Sequence, residues 1–383
     1  MKICAIICEY NPFHNGHKYL IEEAKKQSNA DALLCIMSGN FTQRGEAAIL
    51  EKHQRARHAV EGGADIVLEL PTVFATSNAE VFARGAVSIL SKIPNVTHLA
   101  FGAEVADKNA FLQATNALLN EPKNVSDTVK HLVSGGMGYA QAIAEARAQV
   151  ADKRLFSSPN NILGIEYTKA LLAQKASMDI LPIQRVGSGY NETVLGGKFS
   201  SATAIRAAIL NGAIDQLSAF IPASSLSDLT NAQFIGLDLY EKTMILRSTN
   251  EELAAVLDCT EGLEHAFKKA ASGCETLEKA LTSPRYTAAR IRRIALQNLL
   301  EIQKEFIFEC LQGELYLHPL AYKRERTDVL SALSCSALPL ISSGIEKGKL
   351  CGAARQCLEI DELSEKMYAA LSQKTFSNKT VLV

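Results

Sequence analysis

The chain has almost no net charge: Lys and Arg total 40 against 41 Asp and Glu. Overall charge therefore neither demands nor excludes a nucleic-acid partner, and any basic surface must come from local clustering. Paired CxxC motifs are missing as well. The nine cysteines are scattered, so a zinc site of that type is not expected, and reduced thiols in a cytosolic protein are. No apolar run reaches membrane-spanning length. The first residues read as a strand, not as a basic segment leading into a long apolar stretch, so no signal peptide is expected. Internal repeats and low-complexity tracts are absent. The expected location is the cytoplasm, without a membrane partner.

What is present fits a globular protein of two domains: 383 residues, 47% hydrophobic and 21% charged. Short apolar runs at Lys2–Cys8, Ala32–Met37, Ile66–Leu70, Thr97–Phe101 and Asp179–Val186 read as strands. Helical spacing appears at Gly16–Gln27, Leu50–Glu61, Ala79–Leu90, Asn161–Ala173 and Ala202–Leu210, and through most of Asp107–Gln149. Alternation of this kind predicts a parallel sheet covered by helices, with ligands beyond the carboxyl ends of its strands. The polar stretch Gly187–Ser201 reads as a loop. After about Leu217 most of the chain reads as helix with few strand signals. The expected division is 1–215, an α/β domain, and 216–383, a mainly helical domain.

The most informative stretch follows the first strand: Cys8-Glu9-Tyr10-Asn11-Pro12-Phe13-His14-Asn15-Gly16-His17. His14 and His17 share a helix face. Helix N-terminal amides attract phosphate, and imidazoles on that edge can donate to phosphate oxygens as charge builds. The pattern suits attack on an α-phosphate with departure of pyrophosphate. A zinc reading lacks a third ligand nearby. Far downstream, Ser200, Ser201, Thr203 and Arg206 offer three hydroxyls and a guanidinium at a helix start, suited to β- and γ-phosphates.

These two segments resemble the HxGH and ISSTxIR signatures of the nucleotidyltransferase superfamily. The order of CEYNPFHNGH, MSGNFTQRGE, ELPTVFATSNAE, FGAE, SPNNILGIEY, SSATAIR and RYTAARIRR is similar to the tRNA(Met) cytidine acetate ligase family, over nearly the whole chain. The resemblance implies a Rossmann-like nucleotidyltransferase domain followed by the mainly α-helical one. It implies an enzyme that makes acetyl-adenylate from ATP and acetate, then acetylates N4 of the wobble cytidine of elongator tRNA(Met). Carried over, the catalytic set is His14, His17, Ser201, Thr203 and Arg206. The ATP contacts are Ile7, Cys8, Glu9, Tyr10, Asn11, Pro12, Phe13, His14, Asn15, Gly16, His17, Lys18, Tyr19 and Leu20, then Gly102, Asn160 and Arg185. Asn160 and Asn161 are both possible helix caps. Magnesium is expected with the triphosphate, though no dedicated carboxylate cage is visible.

Ser38, Gly39, Asn40 and Arg44, after the second strand, are where the acyl substrate should rest. Lys52, His53, Arg55, Arg57 and His58 read as a solvated helix face. Arg285, Arg290, Arg292 and Arg293, with Tyr286 beside them, form the strongest basic cluster and are the expected tRNA contacts; an amphipathic helix whose arginines pair with acids is the alternative. Lys268, Lys269 and the Tyr322–Arg326 stretch could extend that surface. Two rivals stay open: an enzyme of the same fold that passes AMP to a small phosphate-bearing substrate, and a non-catalytic RNA-binding protein with a vestigial nucleotide pocket.

Overall fold

The computed structural model describes residues 1–120, 123–137, 139–148, 152–186, 195–196, 199–341, 344–376 and 379–383. Most of the expected polar loop, residues 187–194 and 197–198, lies outside them, as do parts of the expected Asp107–Gln149 helical stretch.

The chain opens β1 (Ile3–Cys8), α1 (Asn15–Ser28), β2 (Ala32–Ser38), α2 (Lys52–Glu61), β3 (Ile66–Leu70), then α3 (Thr72–Ala75) and α4 (Ala79–Leu90). It returns through β4 (Val96–Ala103) and β5 (Asp179–Gln184). These five strands lie parallel, since helical crossovers join them. All five were legible as apolar runs because both sheet faces are covered. Ile3, Ala5 and Ile7 enter one core, while Cys4, Ile6 and Cys8 enter the other.

The sheet order is β5-β4-β1-β2-β3-β6-β7. From β1 the chain steps outward to β2 and β3, then crosses back to place β4 on the other side of β1. The carboxyl ends of β1 and β4 therefore flank the point where strand order reverses, and a crevice opens there.

The C-terminal half supplies β6 (Pro319–Tyr322), antiparallel to β3, and β7 (Val381–Leu382), parallel to β6. Neither strand was expected. Tyr316, Leu317, Leu333 and Leu358 share a core with Ile36 and Leu68. The Gly352–Ser372 helix is pinned to the sheet: Asp361 accepts the Thr72 N–H at 2.7 Å, and Tyr368 OH donates to Ala48 O at 2.9 Å. A second, helical cluster gathers Ile245, Leu253, Phe267 and Ile291. Among the described residues no helix is long and apolar enough to cross a membrane.

Helix α2 overturns the solvated-face reading. Lys52, His53, Arg55 and His58 are buried. Lys52 Nζ meets both Glu69 oxygens at 2.9 Å and Glu365 at 3.4 Å. His58 bonds Asp228 at 2.8 Å. Arg55 reaches the carbonyls of Leu50, Glu9, Ser38 and Gly39. Each buried charge has a partner, as the cost of desolvating it requires.

Candidate active site

The first motif forms the turn from β1 to α1, with His14 as the helix cap. His14 Nδ1 accepts the Gly16 N–H at 3.1 Å, which fixes the ring proton on Nε2 and makes that atom the donor for a ligand. The His17 ring stacks on His14, centroids 3.6 Å apart and planes 22° from parallel. Tyr10 lies 4.8 Å from His17 on another side. Burial pushes His14 down to about 3, and the Arg185 and Arg206 charges push the same way. Burial, then His14 and Arg185, holds His17 far below its usual range. Both rings are therefore neutral at physiological pH and act as donors, not cations. His17 Nδ1 is buried without a hydrogen-bond partner.

The expected service of the first-turn amides of α1 is not available. Asn15 N–H donates to Phe220 O at 2.8 Å, Gly16 N–H to the His14 ring, and His17 N–H to His14 O at 2.8 Å. Of the groups expected at this edge, the imidazoles are the ones left to face a ligand.

The second motif supplies the missing amides. Ser201 caps the Ala202–Leu210 helix, its Oγ accepting the Ala204 N–H at 3.0 Å. The Ala202 and Thr203 N–H groups have no internal acceptor among the described residues. Arg206 Nη1 donates to Asn11 O at 2.7 Å, and Nη2 approaches Thr203 Oγ1 at 3.4 Å. Ile205 and Ile209 pack with Ile49 and Leu50, which precede α2. Phe199 sits 5.5 Å from Tyr19 of α1. Segments far apart in the chain thus close on one another.

Between them lies a cleft of about 210 Å³. Ile7, Cys8, Glu9, Tyr10, Asn11, His14, His17 and Leu20 line it, facing Ser201, Thr203 and Arg206. Gly16, Tyr19 and Ser200 line an adjoining recess. Four residues of the expected ATP set line neither. Phe13 is buried against Tyr10, and Pro12 precedes it. Asn15 Nδ2 is held by Ala219 O, and Lys18 faces Glu22 on the surface. A larger cavity of about 720 Å³, between α4 and the Pro159–Ala173 helix, lies away from both motifs.

At the β4 end, Gly102, Asn160 and Arg185 line the cleft together. They are joined through Glu104, the last residue of the FGAE motif, to which the sequence reading gave no role. It pairs with Arg185 Nε at 3.3 Å and accepts from Asn160 Nδ2 at 2.7 Å. Neither asparagine caps the following helix; Ser158 does. Asn161 Oδ1 instead accepts the Glu104 N–H at 3.0 Å. Phe101, of the FGAE motif, and Leu163 and Tyr167, of the SPNNILGIEY motif, add an apolar wall, a role the sequence had not assigned them.

The loop after β2 forms the remaining side. Thr42, Gln43 and Arg44 line the cleft, whereas Ser38, Gly39 and Asn40 lie beneath it. Ser38 Oγ donates to Glu9 at 3.3 Å, and Asn40 Oδ1 accepts the Lys52 N–H at 2.7 Å. Gly45 has φ +73°, and a Cβ there would lie 2.6 Å from the Arg292 and Arg293 backbone, so only glycine lets the loop rest on the Ala288–Leu299 helix.

That helix carries the basic cluster, and its arginines are largely engaged. Arg292 donates to Arg44 O at 3.0 Å and pairs with Glu46 and Glu278. Arg293 donates to Gln43 O at 3.3 Å. Arg290 bonds Asp258 O at 2.7 Å and sits over Tyr286, and Arg285 pairs with Glu261 in the open. Of the possible extensions, Arg326 and Lys323 turn to buried Asp65, and Lys268 reaches Leu246 O at 3.2 Å.

With this geometry in place, the chain can be set beside known proteins. The profile of the HIGH Nucleotidyl Transferase family matches residues 1–381. The tRNA(Met) cytidine acetate ligase of Thermosipho melanesiensis is 35% identical, over 90% of this chain and 84% of its own. That of Alkaliphilus metalliredigens is 34% identical, over 98% and 96%. The crystal structure of Thermotoga maritima TmcAL in its apo form I superposes with a TM-score of 0.90 at 26% identity, covering all of both chains. The form II crystal structure, bound with alpha-thio ATP, gives 0.85 at 27% identity over 97% and 95%.

Proposed function

The chain belongs to the tRNA(Met) cytidine acetate ligase family, and from that premise we propose that its cleft joins acetate to AMP and passes the acetyl group to N4 of the wobble cytidine of elongator tRNA(Met). Its activity is ATP-dependent acetylation of a tRNA cytidine. One observation carries the reading: Arg206 of the second motif holds the Asn11 carbonyl of the first at 2.7 Å. The two phosphate-handling segments thereby face one cleft.

Adenosine lies toward Gly102, Asn160 and Arg185. The phosphates run between His14 and His17 on one side and Ser201, Thr203 and Arg206 on the other. An acetate oxygen attacks the α-phosphorus, the bond to the bridging oxygen breaks, and pyrophosphate leaves with the electron pair. His14 Nε2–H and the Ala202 and Thr203 amides donate to the oxygens that gain charge. Neutral rings suit this work, since they need no counter-ion before ATP arrives. Arg206 is already in place, so little is reorganised in the transition state.

The described residues do not form a cage for a cation. Among them Glu9 is the one carboxylate lining the cleft, and no cluster of three metal-ligating side chains occurs. Any magnesium used would have to arrive with the triphosphate, because these residues offer no cage of their own.

The tRNA backbone passes over Arg285 and Arg290. Arg292 and Arg293 stand behind them and fasten the acyl loop. The test is mass spectrometry of tRNA after incubation with ATP and isotope-labelled acetate. The label is expected on one cytidine of tRNA(Met). A product carrying AMP on a small molecule, with unlabelled tRNA, contradicts the proposal.

A further inference from the structure

Acyl transfer to a cytidine amine releases a proton, and the groups so far described are donors. His14 Nδ1 is occupied by the Gly16 N–H, which leaves Nε2 protonated. His17 is held neutral and weakly basic by burial. The hydroxyls and guanidiniums of the second motif accept no proton near neutral pH. Among the described residues Glu9 is the only acid lining the cleft.

Its position is built from both sides. Glu9 Oε1 accepts the Gln43 N–H at 2.7 Å and the Ser38 hydroxyl at 3.3 Å. Its backbone carbonyl is gripped by Arg55. Oε2 has no hydrogen-bond partner among the described residues. The loop that orients the carboxylate is fastened by Arg292 and Arg293, in the same helix as Arg290. Glu9 thus lies on the side of the cleft toward the proposed RNA surface.

We propose that Glu9 is the base that takes the amine proton during acetyl transfer, a role that rests on the ligase reading. The amine nitrogen bonds to the acetyl carbon, and the carbon–oxygen bond to AMP breaks. AMP leaves with that electron pair, and the proton passes to Glu9 Oε2. Desolvation raises the carboxyl above its usual range, while Arg44, Arg55 and Arg206 pull it back. A base poised this way is stronger than a solvated carboxylate.

Glu9→Gln tests the assignment, because glutamine can accept the same two hydrogen bonds but takes no proton. Two half-reactions are read apart: acetate-dependent exchange of pyrophosphate into ATP, and single-turnover transfer from preformed acetyl-adenylate to tRNA. Transfer is expected to fall roughly 10²–10⁴-fold, and by at least about tenfold more than exchange, since Glu9 also borders the nucleotide cleft. The parent's transfer rate should rise with pH along a limb that the variant lacks. Glu9→Asp, which keeps a carboxylate, should recover at least about tenfold of the loss. Equal loss in both variants, transfer by Glu9→Gln at the parental rate, or exchange lost as far as transfer overturns the assignment. Absence of acetate-dependent exchange in the parent overturns the ligase reading beneath it.

Discussion

Acidification should expose the desolvated imidazoles at the phosphate edge. His14 has a folded pKa of about 3, against 6.5 for an ordinary histidine. The unfolded chain therefore takes up the proton first as pH falls. The stability tied to His14 is complete above 6.5 and is lost progressively as pH drops toward 3. At pH 5 the unfolded state is favoured by about 1.5 pH units of proton binding, or roughly 2 kcal/mol. Screening takes little from this, since the ring is only 7% exposed. Urea unfolding at pH 7.5 and pH 5.0 measures it, with His14→Asn as the comparison. Asparagine can still cap α1 but does not titrate. The parent should lose about 2 kcal/mol more than His14→Asn between the two conditions. Equal losses would mean that the ring is solvated in the folded state, and the account of neutral phosphate donors would fail. Bound ATP should shrink the parent's loss, because its anionic phosphates favour the protonated rings.

Other perturbations separate the scaffold from the chemistry. Arg55→Met strips four carbonyls of their donor inside the core, and chemical denaturation should show a loss of about 3–5 kcal/mol. Gly39→Ala sets a Cβ 2.6 Å from Glu69 Oε1, and that carboxylate is bound to Lys52. A cost of about 1–3 kcal/mol and slower pyrophosphate exchange are expected, measured by thermal melts and exchange assays. Arg285→Ala should leave exchange intact, weaken tRNA binding and lower the salt slope of affinity by about one. Arg292→Ala should reduce exchange as well, because it releases the Thr42–Arg44 side of the cleft.

The sequence made the nucleotide half of the molecule readable for a physical reason. Buried parallel strands are apolar throughout, so β1 to β5 stand out, and the turn after β1 concentrates residue types with few structural uses. The strands β6 and β7 escaped because four and two residues carry no period. The α2 charges were misread because a buried ion looks the same in sequence as a solvated one. What distinguishes Lys52 or His58 is a partner, Glu365 or Asp228, that only folding brings near. Glu104 stood in the FGAE motif, but its role was hidden for the same reason: it joins Asn160 and Arg185 across three elements. The basic cluster was visible as charge, but its service to the acyl loop depends on Gly45 meeting a helix some 250 residues later.

The central claim is that one triphosphate is held between the His14–His17 edge and the Ser201–Arg206 turn. A crystal structure of this protein with a non-hydrolysable ATP analogue tests it most directly. The account predicts the α-phosphate within hydrogen-bonding reach of His14 Nε2, and the outer phosphates on Ser201, Thr203 and Arg206. A triphosphate seated in the cavity between α4 and the Pro159–Ala173 helix, or touching only one of the two segments, would contradict it.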